Sequence, residues 1–212
     1  MRRYLAGGMT AALVLPLLAG CATRQQEPSG SIIAAAPVGK AAGATVRSAI
    51  MGASATGAAS AQITQQMDRQ SQDLAYELPG VTVQRLGGGI VVTFPEGLLF
   101  AQESDELTRA TRDNLRRFGT SLEKYPNTRI MIVGHTDSQG GSERSLDLSE
   151  RRAQAIANFL VAVGVSRARI TTLGRGDAEP LATNDTDAGR QWNRRVEVAI
   201  YADEATRFGA RE

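Results

Sequence analysis

The hydrophobic pattern changes along the chain, and each change predicts a different kind of segment. Two arginines near the start precede an uncharged, largely apolar stretch from Leu5 to Gly20. A run of small residues occupies 39–61, and a polar stretch that predicts a helix continues from Gln62 to Tyr76. Apolar positions recur with the periods of strands and amphipathic helices only after residue 80. These patterns predict a folded domain at residues 80–204, which is a normal size for a single core.

Strand and helix patterns alternate inside this domain. Residues 81–85 and 90–94 flank three glycines and predict a β-hairpin. No Lys-Ser/Thr pair follows these glycines, so a phosphate-binding loop is disfavoured. The other predicted elements are a helix over Asp105–Lys124, a doubly buried strand at Ile130–Val133, a helix with Ala153, Ile156, Ala157, Leu160 and Val163 inward and Gly164 at its end, a strand at Ile170–Leu173, and a half-exposed strand at Val196–Ile200. The expected fold is an α/β (α+β) sandwich of βαβαβ type, with helices packed on one mixed sheet.

The first twenty residues have the order of a secretory signal peptide: a basic start, an apolar middle and small residues at the end. The apolar part is shorter than the ~20 mostly apolar residues that a membrane-spanning helix needs. Leu18-Ala19-Gly20-Cys21 resembles the lipobox of bacterial lipoproteins, whose cysteine receives a lipid before cleavage. Cys21 is the single cysteine of the chain, so no internal disulfide is possible. The alternative is an ordinary signal peptide or a membrane anchor that happens to contain a cysteine.

Charge and composition exclude several classes of function. The chain has 24 basic and 22 acidic side chains, and removal of Arg2 and Arg3 with the leader leaves a processed chain of zero net charge. No clustered basic surface for nucleic acid is therefore expected. His135 is the one histidine, so a histidine-based metal cluster or a Ser–His–Asp triad cannot be assembled. We expect no metal, no cofactor and no catalytic activity.

The segment between Cys21 and the domain divides into two parts. Residues 21–38 are small and polar, and predict a lipidated tether. Residues 39–77 comprise the small-residue run and the polar helix. Small residues recur every fourth position at Ala49, Ala53, Gly57 and Ala61, a spacing that allows close helix contact. Self-association of residues 39–61 in or on a membrane, similar to the glycine zippers of some envelope lipoproteins, and a flexible linker remain as alternatives.

Several motifs follow one another in the second half of the domain. They are Gly134-His-Thr-Asp137, Leu148-Ser-Glu-Arg-Arg-Ala153, Gly164-Val165, Gly174-Arg-Gly176, Pro180, Asn184 and Asn193-Arg-Arg-Val-Glu197. This succession resembles the peptidoglycan-binding domain at the C-terminus of OmpA, which also occurs in peptidoglycan-associated lipoprotein. The resemblance extends over residues 81–201. Together with the lipobox and the glycine-rich spacer, the layout is similar to the small YiaD-type lipoproteins.

The resemblance implies non-covalent binding of the meso-diaminopimelate in the peptide stem of peptidoglycan. Carried over by motif, Asp137 of the Thr136-Asp137 pair is the key carboxylate and Arg152 the key guanidinium, with weaker contributions from Ser145 and Arg194. Ser145 stands where family members often have Asn. Ala101 stands where Asp is common, so the first loop is expected to contribute little.

The residues themselves are compatible with these binding roles, but also with a purely structural role. Asp137 follows a buried strand, and Asp147 and Glu150 have the spacing of a capping box, which would place Arg152 in the first turns of a helix. Its fork would then point back toward Asp137 and could hold a carboxylate bidentately. The alternative is a structural salt bridge between Asp137 and Arg152.

These observations favour a lipid-anchored protein of the outer membrane that faces the periplasm and tethers that membrane to peptidoglycan. Its partners would be the wall and, through Cys21, the membrane. An enzyme acting on peptidoglycan and an envelope assembly scaffold are the alternative functions.

Overall fold

The computed structural model describes residues 42–53, 58–101 and 103–203, all of which lie in one unit spanning 33–212. The predicted lipidation site Cys21, the leader and the tether lie outside the described residues. The helices are α1 (Ala44–Gly52), α2 (Ala58–Glu77), α3 (Glu96–Leu99), α4 (Arg109–Glu123), α5 (Ser142–Ala162) and α6 (Asp187–Asn193), and the strands are β1 (Thr82–Leu86), β2 (Gly89–Pro95), β3 (Thr128–His135), β4 (Ile170–Gly174) and β5 (Arg195–Ala202).

The five strands form one mixed sheet in the order β1-β2-β5-β3-β4. β1 and β2 are the two arms of the predicted hairpin, and Gly87 in its turn has a positive φ of 51° that a side chain would disfavour. β3 and β4 are parallel, and the whole of α5 lies in the crossover between them. β5 is antiparallel to both of its neighbours, β2 and β3. The predicted mixed sheet with packed helices is confirmed.

Helices α2, α4 and α5 cover one face of the sheet and form the main core. Each helix places apolar side chains on the side that meets the strands, for example Leu74 on α2, Phe118 on α4 and Ile156 on α5, all fully buried. The Phe118 ring meets Phe94 of β2 edge to face, with 5.5 Å between the ring centroids. α5 approaches β3 closely at Gly134, where an added Cβ would lie 2.1 Å from the Ser149 carbonyl oxygen.

Helix α1 covers the other face of the sheet. Val46 and Ile50 are buried there against Val91, Val133 and Ala199. The helix is fixed at its start by the Gly43 N–H, which donates to both carboxylate oxygens of Glu197 at 3.1 and 2.8 Å. The packed unit therefore reaches beyond the boundary expected at residue 80, because α1 and α2 contribute to the two sides of the sheet.

Two predicted elements differ from the structure. Val196–Ile200 was expected to be half exposed, but every residue of β5 from Arg195 to Ile200 is buried. The strand is central, and α1 covers the face on which Glu197 lies. The second difference is α5, which begins at Ser142, so Asp147 is an exposed residue of the helix and pairs with Arg151 instead of capping it. Arg152 consequently lies in the third turn of α5.

Part of the small-residue segment is folded onto the domain. Residues 44–52 form α1, which packs on the sheet of the same chain, so this part is neither a membrane hairpin nor a flexible linker. Residues 39–41 and 54–57 lie outside the described residues, and self-association stays a prediction. Across the described ranges, no helix combines the length and the apolar character that crossing a membrane requires.

Candidate functional site

A cleft of about 370 Å³ opens at the end of the sheet where β3 and α5 meet the start of β5. Its size is within the range of small-ligand sites. Three segments that are distant in sequence, within 96–103, 136–152 and 187–194, supply its walls. The lining residues are Glu96, Glu103, Thr136, Asp137, Gln139, Gly140, Arg144, Ser145, Leu148, Arg152, Asp187, Arg190, Gln191 and Arg194.

Asp137 lies two residues beyond the end of β3 and is 5% exposed. Its Oδ1 accepts the Gln139 N–H at 2.9 Å, and its Oδ2 accepts from Arg194 Nη1 at 2.6 Å. Thr136 supports the turn, because its N–H donates to the Gly176 carbonyl and its hydroxyl donates to the Asp137 carbonyl, both at 2.9 Å. Since each carboxylate oxygen has two lone pairs, Asp137 can still accept a hydrogen from a ligand.

Arg152 is held on three sides and is 2% exposed. Its Nε donates to the Ser104 carbonyl at 2.9 Å, its Nη2 donates to Glu96, and its guanidinium lies over the Phe100 ring at 5.2 Å from the centroid. Nη1 has no hydrogen bond to a described residue. The bonds to Ser104 and Glu96 use two of the five N–H donors of the guanidinium, so the donors left for a ligand are the two on Nη1 and the second one on Nη2.

Glu96 connects the two arginines of the cleft. One of its oxygens accepts from Arg152, and the other lies 2.7 Å from Arg194 Nε. Partial burial by itself lowers the pKa of Arg194, but hydrogen bonds and attraction from Asp137 and Glu96 outweigh it and leave the pKa raised above its ordinary value. Asp137 and Arg152 thus do not pair with each other; each has its own partner, and Arg194 and Glu96 join them into one charged chain.

The charges around the cleft balance. The lining contains four arginines, at 144, 152, 190 and 194, and four carboxylates, at 96, 103, 137 and 187. The outer members pair at the rim, Arg144 with Glu103 and Arg190 with Asp187. A ligand group with equal numbers of positive and negative charges leaves such a site neutral, whereas a net-charged group does not.

All five residues expected to bind peptidoglycan line this one cleft: Thr136, Asp137, Ser145, Arg152 and Arg194. The Ser145 hydroxyl has no hydrogen bond to a described residue, so it is available to a ligand. Motif-based reasoning did not identify Glu96, because a single carboxylate after Pro95 belongs to no motif. It also assigned little importance to the first loop, whose Phe100 ring and Ser104 carbonyl hold Arg152.

Other residues of chemical interest lie outside the cleft. His135 ends β3 and is 1% exposed, and neither ring nitrogen has a hydrogen bond to a described residue. Arg195 pairs with Glu197 at 2.6 Å inside the domain and so anchors the start of the last strand. Trp192 is 38% exposed and does not line the cleft. Among the described residues, no group of three or more His, Cys, Asp or Glu side chains is placed to hold a metal ion.

A mixed sheet with helices on both faces and a charge-balanced cleft at one sheet end defines a ligand-binding α+β module. Residues 99–194 match the OmpA family. The chain belongs to the OmpA family through this domain.

Individual relatives agree with this assignment. The chain is 37% identical over 136 residues to the probable lipoprotein YiaD of Escherichia coli (strain K12), an alignment that covers 63% of this chain and 62% of the relative. It is 37% identical over 103 residues to the peptidoglycan-binding protein ArfA of Mycobacterium tuberculosis (strain ATCC 25618 / H37Rv), covering 49% of this chain and 32% of the relative. The chain thus spans less than two thirds of the length of either protein.

A solved structure extends the comparison to three dimensions. The cell wall anchor of the T6SS from Pseudomonas aeruginosa is 31% identical, with a TM-score of 0.56, and the match covers 65% of this chain and 97% of that one.

Proposed function

We propose that this protein is a lipid-anchored envelope protein that binds peptidoglycan non-covalently through meso-diaminopimelate and thereby tethers the outer membrane to the cell wall. The domain would face the periplasm, with the lipid on Cys21 as the membrane contact. The proposal is supported by the relatives of this chain, which include a probable lipoprotein, a peptidoglycan-binding protein and a cell wall anchor. We propose a binding role without catalysis.

The observation that carries the proposal is the arrangement of Asp137 and Arg152 in a cleft whose charges balance. The far end of diaminopimelate bears an ammonium and a carboxylate on one carbon. Asp137 would accept from the ammonium. Arg152 Nη1, with the Ser145 hydroxyl and the exposed side of Arg194, would donate to the carboxylate. Because Arg152 is already held by Glu96, Ser104 and Phe100, little side-chain entropy is lost when a ligand binds.

The first experiment is co-sedimentation of the processed chain with purified peptidoglycan sacculi. A tether sediments with the sacculi and leaves them intact. Release of soluble wall fragments would instead identify an enzyme. Failure to sediment would indicate an assembly scaffold that uses the domain for protein partners.

The second experiment tests the ligand. Stem peptides with diaminopimelate are expected to bind at least about 30-fold more tightly than the same peptides with lysine, because lysine lacks the carboxylate that Arg152 would contact. This value is the low end of the ~2–5 kcal/mol typical for an unpaired charge in a partly desolvated site. Asp137→Asn should weaken both peptides. Equal affinity of the unaltered chain for the two peptides would refute the diaminopimelate assignment.

Arg152→Lys separates the role of the guanidinium from the role of its charge. A lysine keeps the positive charge but cannot donate at once to Ser104, Glu96 and a ligand, so the preference for diaminopimelate over lysine should narrow. Arg151→Lys is the matched control. Arg151 is the neighbouring position on α5, is half exposed and pairs with Asp105 and Asp147 outside the cleft. A larger loss at Arg151 than at Arg152 would contradict the assignment.

A further inference from the structure

Helix α4 presents a row of arginines to solvent. Its buried side carries Thr111, Leu115, Phe118 and Leu122. Arg109, Arg112 and Arg116 are exposed, and their three- and four-residue spacing places them along one side of the helix, away from the core. Arg117 is exposed beside them, on the adjoining side of the helix. These four residues are called the arginine row below.

Most of the arginine row has no partner in the fold. Arg116 pairs with Asp113 at 2.7 Å, where both side chains are more than half exposed. Arg109, Arg112 and Arg117 have no hydrogen bond or ion pair with any other residue in the ranges 42–53, 58–101 and 103–203. The arginines of the cleft, by contrast, are each paired with a carboxylate.

The arginine row also opposes the local electrostatics of α4. The first turn contains no acidic residue and instead begins with Arg109, so positive charge lies at the positive end of the helix dipole. Arg112 and Arg116, four residues apart, add repulsion between like charges. Local preferences that a sequence violates without compensation inside the fold commonly mark functional surfaces. An anion placed against the row would remove both penalties.

The row begins beside the cleft. The loop before α4 holds the cleft arginines, since Glu103 pairs with Arg144 and the Ser104 carbonyl accepts from Arg152. Thr108, which caps α4, follows only four residues later. From Arg109 to Arg117 the row extends over about 12 Å at 1.5 Å per residue. The first arginine of the row therefore follows the cleft-supporting residue Ser104 by five positions in the chain, and a polymer that extends beyond the cleft on this side would approach it.

We propose that the arginine row is a second contact surface for the cell-wall polymer, and that it binds carboxylates on parts of the polymer adjacent to the group in the cleft. This inference rests on the proposed function. Its chemistry is that of guanidinium donors facing carboxylates, for which arginine is better suited than lysine. The contact adds to binding of the polymer and not to binding of a single short peptide, which ends within the cleft.

The test uses residues 22–212, which lack the leader and Cys21 and therefore carry no lipid, so that any membrane affinity comes from the protein. The variant Arg109→Gln/Arg112→Gln/Arg117→Gln should bind sacculi roughly three- to a hundredfold more weakly, the range for three exposed charge contacts. Its affinity for a soluble diaminopimelate stem peptide should be unchanged. Binding of the unaltered chain to sacculi should fall more steeply with added salt than binding of the variant.

The control variant is Arg47→Gln/Arg69→Gln/Arg167→Gln, which removes the same charge from exposed positions outside the row. It should bind sacculi like the unaltered chain, and an equal loss in both variants would overturn the proposal. The proposal is also overturned if the row variant keeps its sacculus affinity but loses binding to phosphatidylglycerol vesicles, because the partner is then a membrane surface. Asp137→Asn distinguishes failure of the proposed function from failure of this inference. If Asp137→Asn also leaves sacculus binding intact, the proposed function fails. If only the row variant leaves sacculus binding intact, this inference alone is refuted.

Discussion

Replacement of His135 by leucine should remove most of the loss of stability that the domain suffers in mild acid. His135 ends β3 on the face covered by α1, is 1% exposed, and neither ring nitrogen has a hydrogen-bond partner among the described residues. Burial, together with repulsion from the nearby Arg195 and Arg175, lowers the pKa of His135 from 6.5 to about 2. Glu197 and Glu179 belong to the same cluster, but each is engaged by an arginine.

The direction and size of the effect follow from the two pKa values of His135. The unfolded chain binds a proton below pH 6.5, whereas the folded chain does not until about pH 2, so acid favours unfolding. At 1.36 kcal/mol per pKa unit, the free energy of unfolding should fall by about 1.4 kcal/mol at pH 5.5 and about 2.7 kcal/mol at pH 4.5. Above pH 6.5 the stability is fully present.

The assay is urea unfolding of the unaltered chain and of His135→Leu at pH 7.5, 6.5, 5.5 and 4.5. Carboxylates contribute equally to both proteins, so the difference between their free energies of unfolding isolates the histidine, which is the only one in the chain. That difference should grow as the pH falls. Leucine also removes two buried nitrogens without partners, so the variant should be at least as stable at pH 7.5. Parallel pH profiles of the two proteins would refute the reasoning.

Three other changes test the fold and the anchor. Gly43→Ala should lower the free energy of unfolding by ~1–3 kcal/mol in the same urea assay, because the added Cβ would lie 2.8 Å from Glu179 Oε2. Gly52→Ala is the control: its Cβ would have nothing within 4 Å, so this variant should be neutral or slightly stabilising. Cys21→Ser should leave the domain folded but release it from detergent-dependent membrane fractions, and a variant still found wholly in those fractions would contradict lipidation unless its uncleaved leader holds it there. Residues 42–203 should unfold at a higher urea concentration than residues 80–204, since the shorter fragment lacks α1 and α2; equal midpoints would show that these helices add no stability.

The sequence predicts those parts of the fold that depend on local periodicity. The hairpin, the buried strand β3, the core face of α4 and the end of α5 at Gly164 follow from spacing and turn residues alone. The buried state of β5 could not be predicted in this way. Its alternation of Val196, Glu197 and Val198 is typical of a strand with one solvent-exposed face. Glu197 is nevertheless buried, because Gly43, 154 residues away in sequence, bonds to it and places α1 over this face.

In the candidate site, too, the sequence motifs identified individual residues but not their contacts with residues distant in sequence. Motif resemblance selected Asp137 and Arg152, and the structure places both in one cleft. Their partners could not be predicted, because Glu96 lies 56 residues from Arg152 and Arg194 lies 57 residues from Asp137. The expectation that the first loop contributes little was wrong for a related reason. It considered only the side chain at Ala101, whereas the loop acts through the Phe100 ring and a backbone carbonyl.

The start of β5 connects the cleft with the segment that leads toward the predicted anchor. Arg194 and Arg195 are consecutive, and consecutive side chains in an extended strand point to opposite faces. Arg194 pairs with Asp137 in the cleft, and Arg195 pairs with Glu197, which in turn accepts the Gly43 N–H before α1. A change that displaces α1 must therefore disturb the residue next to Arg194. Titration of Gly43→Ala with the diaminopimelate peptide measures this coupling: weaker binding in a folded variant means that the docked helix supports the cleft, and unchanged binding means that the two faces of β5 act independently.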